Sequence, residues 1–316
     1  MTSSEEQFDI CVVGSCVQDV VAYATRFPKP GESIRGSAFK LNCGGKGANQ
    51  AVTAARLGAR VVMVAMVGKD VFGDGTIANF KNENVCTEFI HQTQDAATGA
   101  ANIFVEDSGE NCIIVVLGAN LLLTVDHVKQ VESVIARSKV VVCQFEIEPK
   151  VSIEAMKLAK KHGVTTILNP APGIASIDRS VFEFADIVCP NENEAEILSG
   201  TTIGSVDAAQ SAITKIRTDL KSKCALITLG ANGCVYQDQY MPEPAHLPTP
   251  KVKAVDTVGA GDSFVGSLAY FVATARQLSF KQCIIRANHI ASISVQRHGT
   301  QPSYPKRNEL PVDLFT

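Results

Sequence analysis

Short apolar runs recur along the chain, and stretches with helical spacing separate them. Asp9–Gly14 (DICVVG) is the first, an unbroken run closed by glycine, as a parallel strand buried on both faces requires. Val61–Val67, Val140–Gln144, Thr165–Asn169, Ile187–Cys189 and Cys224–Leu229 repeat that texture. Between the runs, the spacing predicts a helix from Gly44–Asn49 to about Leu57, stopped by Gly58, and another from Phe72 to about Glu83. Further helices are expected after a Thr124 cap, from Ser152 to His162, near Asp178–Phe184, near Glu194–Leu198 and over Val206–Leu220. Gly230–Gly233 is a tight turn into a strand at Cys234–Gln237, and two helices fill most of Ser263–Val295. Alternation of this kind predicts an α/β fold in three layers, with a largely parallel sheet between helices and right-handed crossovers. Ligands in such folds sit at the carboxyl ends of the strands.

Two segments break the rhythm. Val20–Cys43 is punctuated by Pro28, Pro30 and Gly31 and contains a mixed strand at Ser33–Leu41. In Thr98–Leu117, strands Ala101–Glu106 and Cys112–Leu117 flank Asp107–Glu110, a hairpin with Gly109 in its turn. The expectation is one α/β domain over residues 1–316, with a small β appendage from two separated insertions, about 18–43 and 97–118. Ile113–Leu117 is apolar on both alternating faces, so its second face should be covered by a ligand, a neighbouring element or another subunit.

Composition narrows the function classes. Apolar residues are 46% and charged residues 19%, which suits a globular chain with a large core. The net charge of −3 gives no reason to expect nucleic acid or an anionic membrane as partner. No apolar run reaches the length of a membrane span; Val61–Val67 ends in Gly68-Lys69-Asp70. The opening MTSSEEQ is polar and acidic, with no sign of a secretory or mitochondrial leader. The 10 cysteines form no C-x-x-C pair, and Cys11, Cys143, Cys189 and Cys224 lie in strand-like runs, as buried free thiols in a reducing compartment do. A cytoplasmic enzyme is the default, nuclear presence not being excluded.

Candidate chemistry gathers at the strand ends. In Val255–Phe264 (VDTVGAGDSF), Gly259, Ala260 and Gly261 present bare N–H groups at the start of a helix, where the dipole favours an anion. Asp262 at that point is either a helix cap or a base for a hydroxyl that attacks phosphate. Asp19 is a solvated loop acid or a hydroxyl-binding carboxylate. Gly45, Lys46 and Asn49 are a glycine-rich helix start or ligand donors, and Glu146 is a surface acid or a second substrate carboxylate. Asn191 and Glu194 match a capping box as well as a magnesium–nucleotide site reached through water. Thr228-Leu229-Gly230-Ala231-Asn232-Gly233 is a plain turn or a loop that follows a nucleotide. Gly73–Ala78 fits G-x-G-x-x-G/A but follows the second core strand, so an ordinary helix start is the better assignment.

Together these segments resemble the ribokinase branch of the PfkB sugar-kinase family over nearly the whole chain. Gly44–Gln50 is similar to the family's N-terminal signature and Asp256–Phe264 to its D-T-x-G-A-G-D. Asn191-x-x-Glu194 is similar to its N-x-x-E, and Arg297–Ser303 to a segment that holds a monovalent cation. The resemblance implies transfer of the ATP γ-phosphoryl group to the 5-hydroxyl of D-ribose, with Asp262 as general base and the amides of Gly259, Ala260 and Gly261 around the transferred group. It implies ribose against Asp19, Gly45, Lys46, Asn49, Glu146 and Asp262. ATP would lie against Asn191, Thr228–Gly233, Gly261 and Asn288, with Glu194 positioning Mg2+ through water. It further implies K+ among oxygens of Asp256, Val258, Ser294, Arg297, Gly299 and Ser303, and a β lid that pairs with a second copy in a homodimer. One position departs: many bacterial ribokinases carry asparagine where this chain has Val17, which cannot hydrogen-bond a hydroxyl through its side chain. A kinase for 2-deoxyribose, another sugar or a nucleoside, or a silent sugar- or nucleotide-binding protein, are the alternatives.

Overall fold

The computed structural model describes residues 7–108 and 110–316, so the opening residues and the turn glycine Gly109 lie outside the described residues. The first half runs β1 (Phe8–Val13), β2 (Val17–Ala24), β3 (Ala38–Gly44), α1 (Lys46–Arg56), β4 (Val61–Gly68), α2 (Val71–Asn82), β5 (Val85–Thr93), β6 (Gly99–Glu106) and β7 (Asn111–Val116). Next come α3 (Val125–Gln130), α4 (Glu132–Ala136), β8 (Ser138–Cys143), α5 (Pro149–Lys161), β9 (Thr165–Leu168), β10 (Ile187–Val188), α6 (Glu192–Ser199) and α7 (Val206–Asp219). The chain closes with β11 (Cys224–Thr228), β12 (Cys234–Asp238), β13 (Ala245–Leu247), α8 (Ala260–Thr274) and α9 (Phe280–Ser294).

Nine strands form the main sheet in the order β13-β12-β11-β10-β9-β8-β1-β4-β5. Pairing is parallel from β11 to β5 and turns antiparallel at β12. Side chains that alternate along β1 sort into two cores. Cys11 and Val13 pack with Ile135 of α4 and Met156 of α5, while Ile10 and Val12 pack with Val52 of α1, Leu268 of α8 and Ile290 of α9. Truncating a fully buried side chain such as Met63 in this sandwich costs about 2–5 kcal/mol. Three layers with helices on both faces match the expected fold class.

A second sheet, ordered β3-β2-β6-β7, draws its strands from residues 17–44 and 99–116. Asn120 ties it to the main body: it accepts from the Cys16 amide (2.8 Å) and donates to the carbonyls of Cys16 (2.7 Å) and Leu117 (2.8 Å). Every residue of β7 is exposed in the single chain, so the doubly apolar strand has no cover from its own protein.

Several boundaries differ from expectation. The strand predicted at Ser33–Leu41 begins only at Ala38, because the Pro28–Gly36 stretch is irregular around one turn at Pro30 and Gly31. Strands β2, β5 and β13 escape prediction; their mixed exposure hides them from a search for unbroken apolar runs. Helix α5 begins at Pro149 rather than Ser152, since proline is well placed at a first helical position. Helix α8 likewise starts at Ala260, ahead of Ser263, and Arg179–Phe184 is 3-10 rather than α. None of the 10 cysteines is in a disulfide; burial pushes the Cys11 thiol up to about 12. Among the described residues, no helix is long and apolar enough to cross a membrane.

Candidate active site

Gly259 opens α8 with φ of 78°, a left-handed conformation that favours glycine. A β-carbon there would collide with the Tyr304 hydroxyl, which donates to the Gly259 carbonyl at 3.1 Å. The turn directs the first amides of the helix outward. Ala260 donates to the Thr257 carbonyl at 3.2 Å, so its amide is committed, contrary to the expectation that it faces an anion. Among the described residues, no backbone carbonyl accepts from Gly261 or Asp262. Those two amides carry the positive end of the dipole.

Asp262 is buried in the first turn of α8, and both its oxygens are held from α1. Asn49 Nδ2 donates to Oδ2 at 3.0 Å and Gln50 Nε2 to Oδ1 at 3.0 Å. Helix α1 reaches this position because Gly45, at φ 89°, lets the chain pass against β2. A β-carbon on Gly45 would lie 2.7 Å from the Val17 nitrogen. The Lys46 amide donates to Glu146 Oε2 at 2.8 Å, and Ser15 Oγ donates to the same atom at 2.6 Å. Burial opposes the charge on the Lys46 ammonium, yet Asp262, Glu146 and Glu194 around it hold its pKa above the ordinary value. Asp19 on β2 is pushed up to about 6 by burial; a Thr300 hydrogen bond opposes the rise, and the charges of Glu146 and Asp262 add to it.

Two cavities meet at the start of α8. The smaller, about 200 Å³, is lined by Lys46, Asn191, Glu194, Gly261 and Asp262 among others. The larger, about 830 Å³, runs along Gly230–Gly233, Val252, Phe264 and Asn288. Asn191, Thr228 and Gly261 border both. Asn191 and Glu194 do form the capping box: Asn191 Oδ1 accepts from the Glu194 amide (3.0 Å), and Glu194 Oε2 accepts from the Asn191 amide (2.8 Å). The cap does not exclude a ligand role, because both side chains also line the cavity. Burial raises the Glu194 pKa; the Asn191 amide and Lys46 oppose this, and Asp262 adds to it.

Behind the glycine turn, Asp256 accepts from the amides of Val258 (3.0 Å) and Gly299 (2.8 Å), drawing two loops around one carboxylate. Ser294 accepts from the Arg297 amide at 3.2 Å, and Ser303 Oγ donates to the Thr300 carbonyl at 2.7 Å. The Arg297 side chain turns away to Glu309. The Gly73 stretch is an ordinary helix start, with Asp70 accepting from the Gly73 amide at 2.8 Å.

Asp19, Lys46, Asn49, Glu146, Asn191, Glu194 and Asp262 therefore converge from β2, α1, the loop after β8, α6 and α8, while Gly230–Gly233 and Asn288 line the larger cavity. Sequence inspection missed Gln50, Thr300, Gln301 and Asn169. Gln301 donates to Asn49 Oδ1 at 3.2 Å and Thr300 to Asp19 at 3.3 Å. Gln50 and Gln301 lay inside recognised segments, but side-chain amides carry no charge signal. The sequence profile described as "pfkB family carbohydrate kinase" matches residues 7–307.

The chain belongs to the pfkB family of carbohydrate kinases.

Within that family it is 48% identical to mouse ribokinase over 311 residues, covering 98% of this chain and 96% of the relative. A deoxyribokinase of Salmonella typhi is 35% identical, covering 94% of this chain and 95% of the other. The solved structure of Arabidopsis thaliana ribokinase complexed with ribose and ATP superposes with a TM-score of 0.88 at 29% identity, covering 98% of this chain and 99% of that one. The pfkB-family assignment makes the chain a phosphotransferase with an alcohol acceptor and ATP as the expected donor.

Proposed function

We propose that this pfkB-family kinase phosphorylates D-ribose at its 5-hydroxyl, giving D-ribose 5-phosphate and ADP. One observation carries the reading: Asp262 lines the smaller cavity directly beside Gly261, which borders both cavities. In the transfer, the sugar oxygen bonds to the γ-phosphorus while its proton passes to Asp262. The bond from that phosphorus to the bridging oxygen breaks, and ADP leaves. The free Gly261 amide and the α8 dipole meet the charge on the transferred group, an effect of several kcal/mol when such donors are fixed in advance. Asp19, Gly45, Lys46, Asn49 and Glu146 would hold the sugar. The Thr228–Gly233 loop and Asn288 would follow the nucleotide.

The described residues hold no cluster of three metal-binding side chains, so a divalent ion would not be caged by protein alone. That suits Mg2+, which would neutralise phosphate charge while Glu194 orients its water shell. The Asp256 carboxylate and carbonyls of Val258, Ser294, Arg297, Gly299 and Ser303 would supply the hard oxygen donors that K+ takes. There the ion would fix the field of the glycine turn. The second sheet would act as a lid and, through β7, as a homodimer interface in a cytoplasmic enzyme. Coupled ADP release with a sugar and nucleoside panel tests the reading. Ribose should be preferred; ATP binding without ADP release on any sugar would sink it.

A second reading, turnover of 2-deoxyribose, is favoured by Val17. It shares the Asp19 face of β2, where an apolar side chain loses nothing when a hydroxyl is absent.

A further inference from the structure

Beneath Asp262 runs a chain of three buried amides. Gln144 Nε2 donates to Gln50 Oε1 at 2.6 Å. Gln50 Nε2 donates to Asp262 Oδ1 at 3.0 Å and to Asn169 Oδ1 at 3.1 Å. Asn169 Nδ2 donates to the Cys189 carbonyl at 2.8 Å. The direction of the chain is fixed by two groups that only accept, the Cys189 carbonyl and the Asp262 carboxylate. A carbonyl such as that of Cys189 can only accept, so Asn169 must present its oxygen to Gln50. The ionised Asp262 carboxylate likewise only accepts, so Gln50 must turn its nitrogen to it and its oxygen to Gln144. Gln144 is fully buried and its own amide oxygen has no hydrogen-bond partner among the described residues. The Gln50 amide cannot flip without breaking three bonds.

We infer that Gln50 is a positioning residue for the reaction, locked by Gln144 and Asn169 so that its N–H fixes the orientation of the Asp262 carboxylate. The inference rests on the reading of Asp262 as the base. Gln50 is buried and borders neither of the two cavities, so it acts through Asp262 rather than on substrate. A donor to an ionised carboxylate favours the ionised form, and a bond to a charged group is among the stronger ones. Other titratable groups face the same carboxylate: Lys46 from α1, Glu194 from α6, Asp19 from β2, and the neutral Tyr304 phenol from the carboxyl-terminal loop. The test therefore compares variants that leave all of these in place.

The experiment measures the pH profile of kcat, with KM for sugar and ATP, in wild type, Gln50→Met, Gln144→Met, Asp262→Asn and the Gln50→Met/Asp262→Asn double variant. Gln50→Met keeps the length of the side chain and removes only its donor and acceptor. Its kcat should fall about 10- to 100-fold, with both KM values within about threefold. The midpoint of the acidic limb should move upward, because an unsupported carboxylate holds its proton to higher pH. Gln144→Met, which leaves Gln50 free to flip, should move the midpoint in the same direction by a smaller amount. In the Asp262→Asn background, Gln50→Met should change residual turnover less than twofold. An unmoved midpoint in both single variants, or an equal loss with and without Asp262, would overturn the inference. A wild type silent toward every sugar would instead remove the base reading beneath it.

Discussion

Thr300 Oγ1 donates to Asp19 Oδ2 at 3.3 Å, joining the carboxyl-terminal loop to a carboxylate 281 residues earlier. That single bond does not offset burial, and the Asp19 carboxyl remains raised from 3.8 to about 6. An acid whose pKa is raised in the folded state destabilises the fold once it ionises. The penalty is absent below 3.8, grows up to about 6 and is complete above it. At full ionisation it amounts to ~3 kcal/mol. Asp19→Asn should therefore unfold several degrees higher than wild type at pH 8, an advantage that disappears on acidification. Its sugar KM should rise at least about tenfold, because a polyol hydroxyl loses its charged acceptor. In wild type, sugar KM should climb as pH falls through about 6. Thermal unfolding and initial rates at several pH values check both statements, and a less stable Asp19→Asn at pH 8 would refute the first.

The two glycines of the turn should fail in different ways. Gly259→Ala meets both the left-handed backbone and the Tyr304 hydroxyl, so it should lose about 1–3 kcal/mol of stability along with activity. At Gly261 a β-carbon would have open space, with nothing within 4 Å of it, so Gly261→Ala should fold as well as wild type. Its methyl would project into the space between the cavities and lower kcat at least about tenfold. Denaturant titration beside turnover separates the two, and an unstable Gly261→Ala would contradict the assignment.

Asp256 links the loop before the glycine turn to the one at Gly299. Replacing it with alanine should abolish stimulation by K+ and leave a basal rate near that of wild type in sodium buffer. If Asp256→Ala keeps the full response to K+, the cation lies elsewhere.

Strand β7 offers Ile114 and Val116 at 59% and 57% exposure, more than an isolated chain commonly leaves on one small strand. Sedimentation should find a dimer for wild type and a monomer for Ile114→Lys/Val116→Lys. A wild-type monomer at micromolar concentration would remove the interface.

Much of this arrangement was legible in the sequence, because buried parallel strands advertise themselves as unbroken apolar runs. Gly45, Gly259 and Asp262 were legible for a different reason: a turn at positive φ and a carboxylate at a helix start leave few residue choices. The second sheet was only half visible, since β2 alternates between a buried site face and a partly exposed one. Thr300 and Gln301 were seen only as part of a cation segment, as nothing local reveals that their side chains reach Asp19 and Asn49. The commitment of the Ala260 amide to Thr257 was likewise beyond sequence, being a matter of how one turn closes.

The most direct test of the central claim is turnover by Asp262→Asn with ribose and ATP at saturating concentrations. ADP release should slow by about 10²- to 10⁴-fold. Sugar and nucleotide affinities by calorimetry should stay within about threefold, since the asparagine keeps the shape of the site. Turnover equal to wild type would contradict the account, because the proton would then leave by another route.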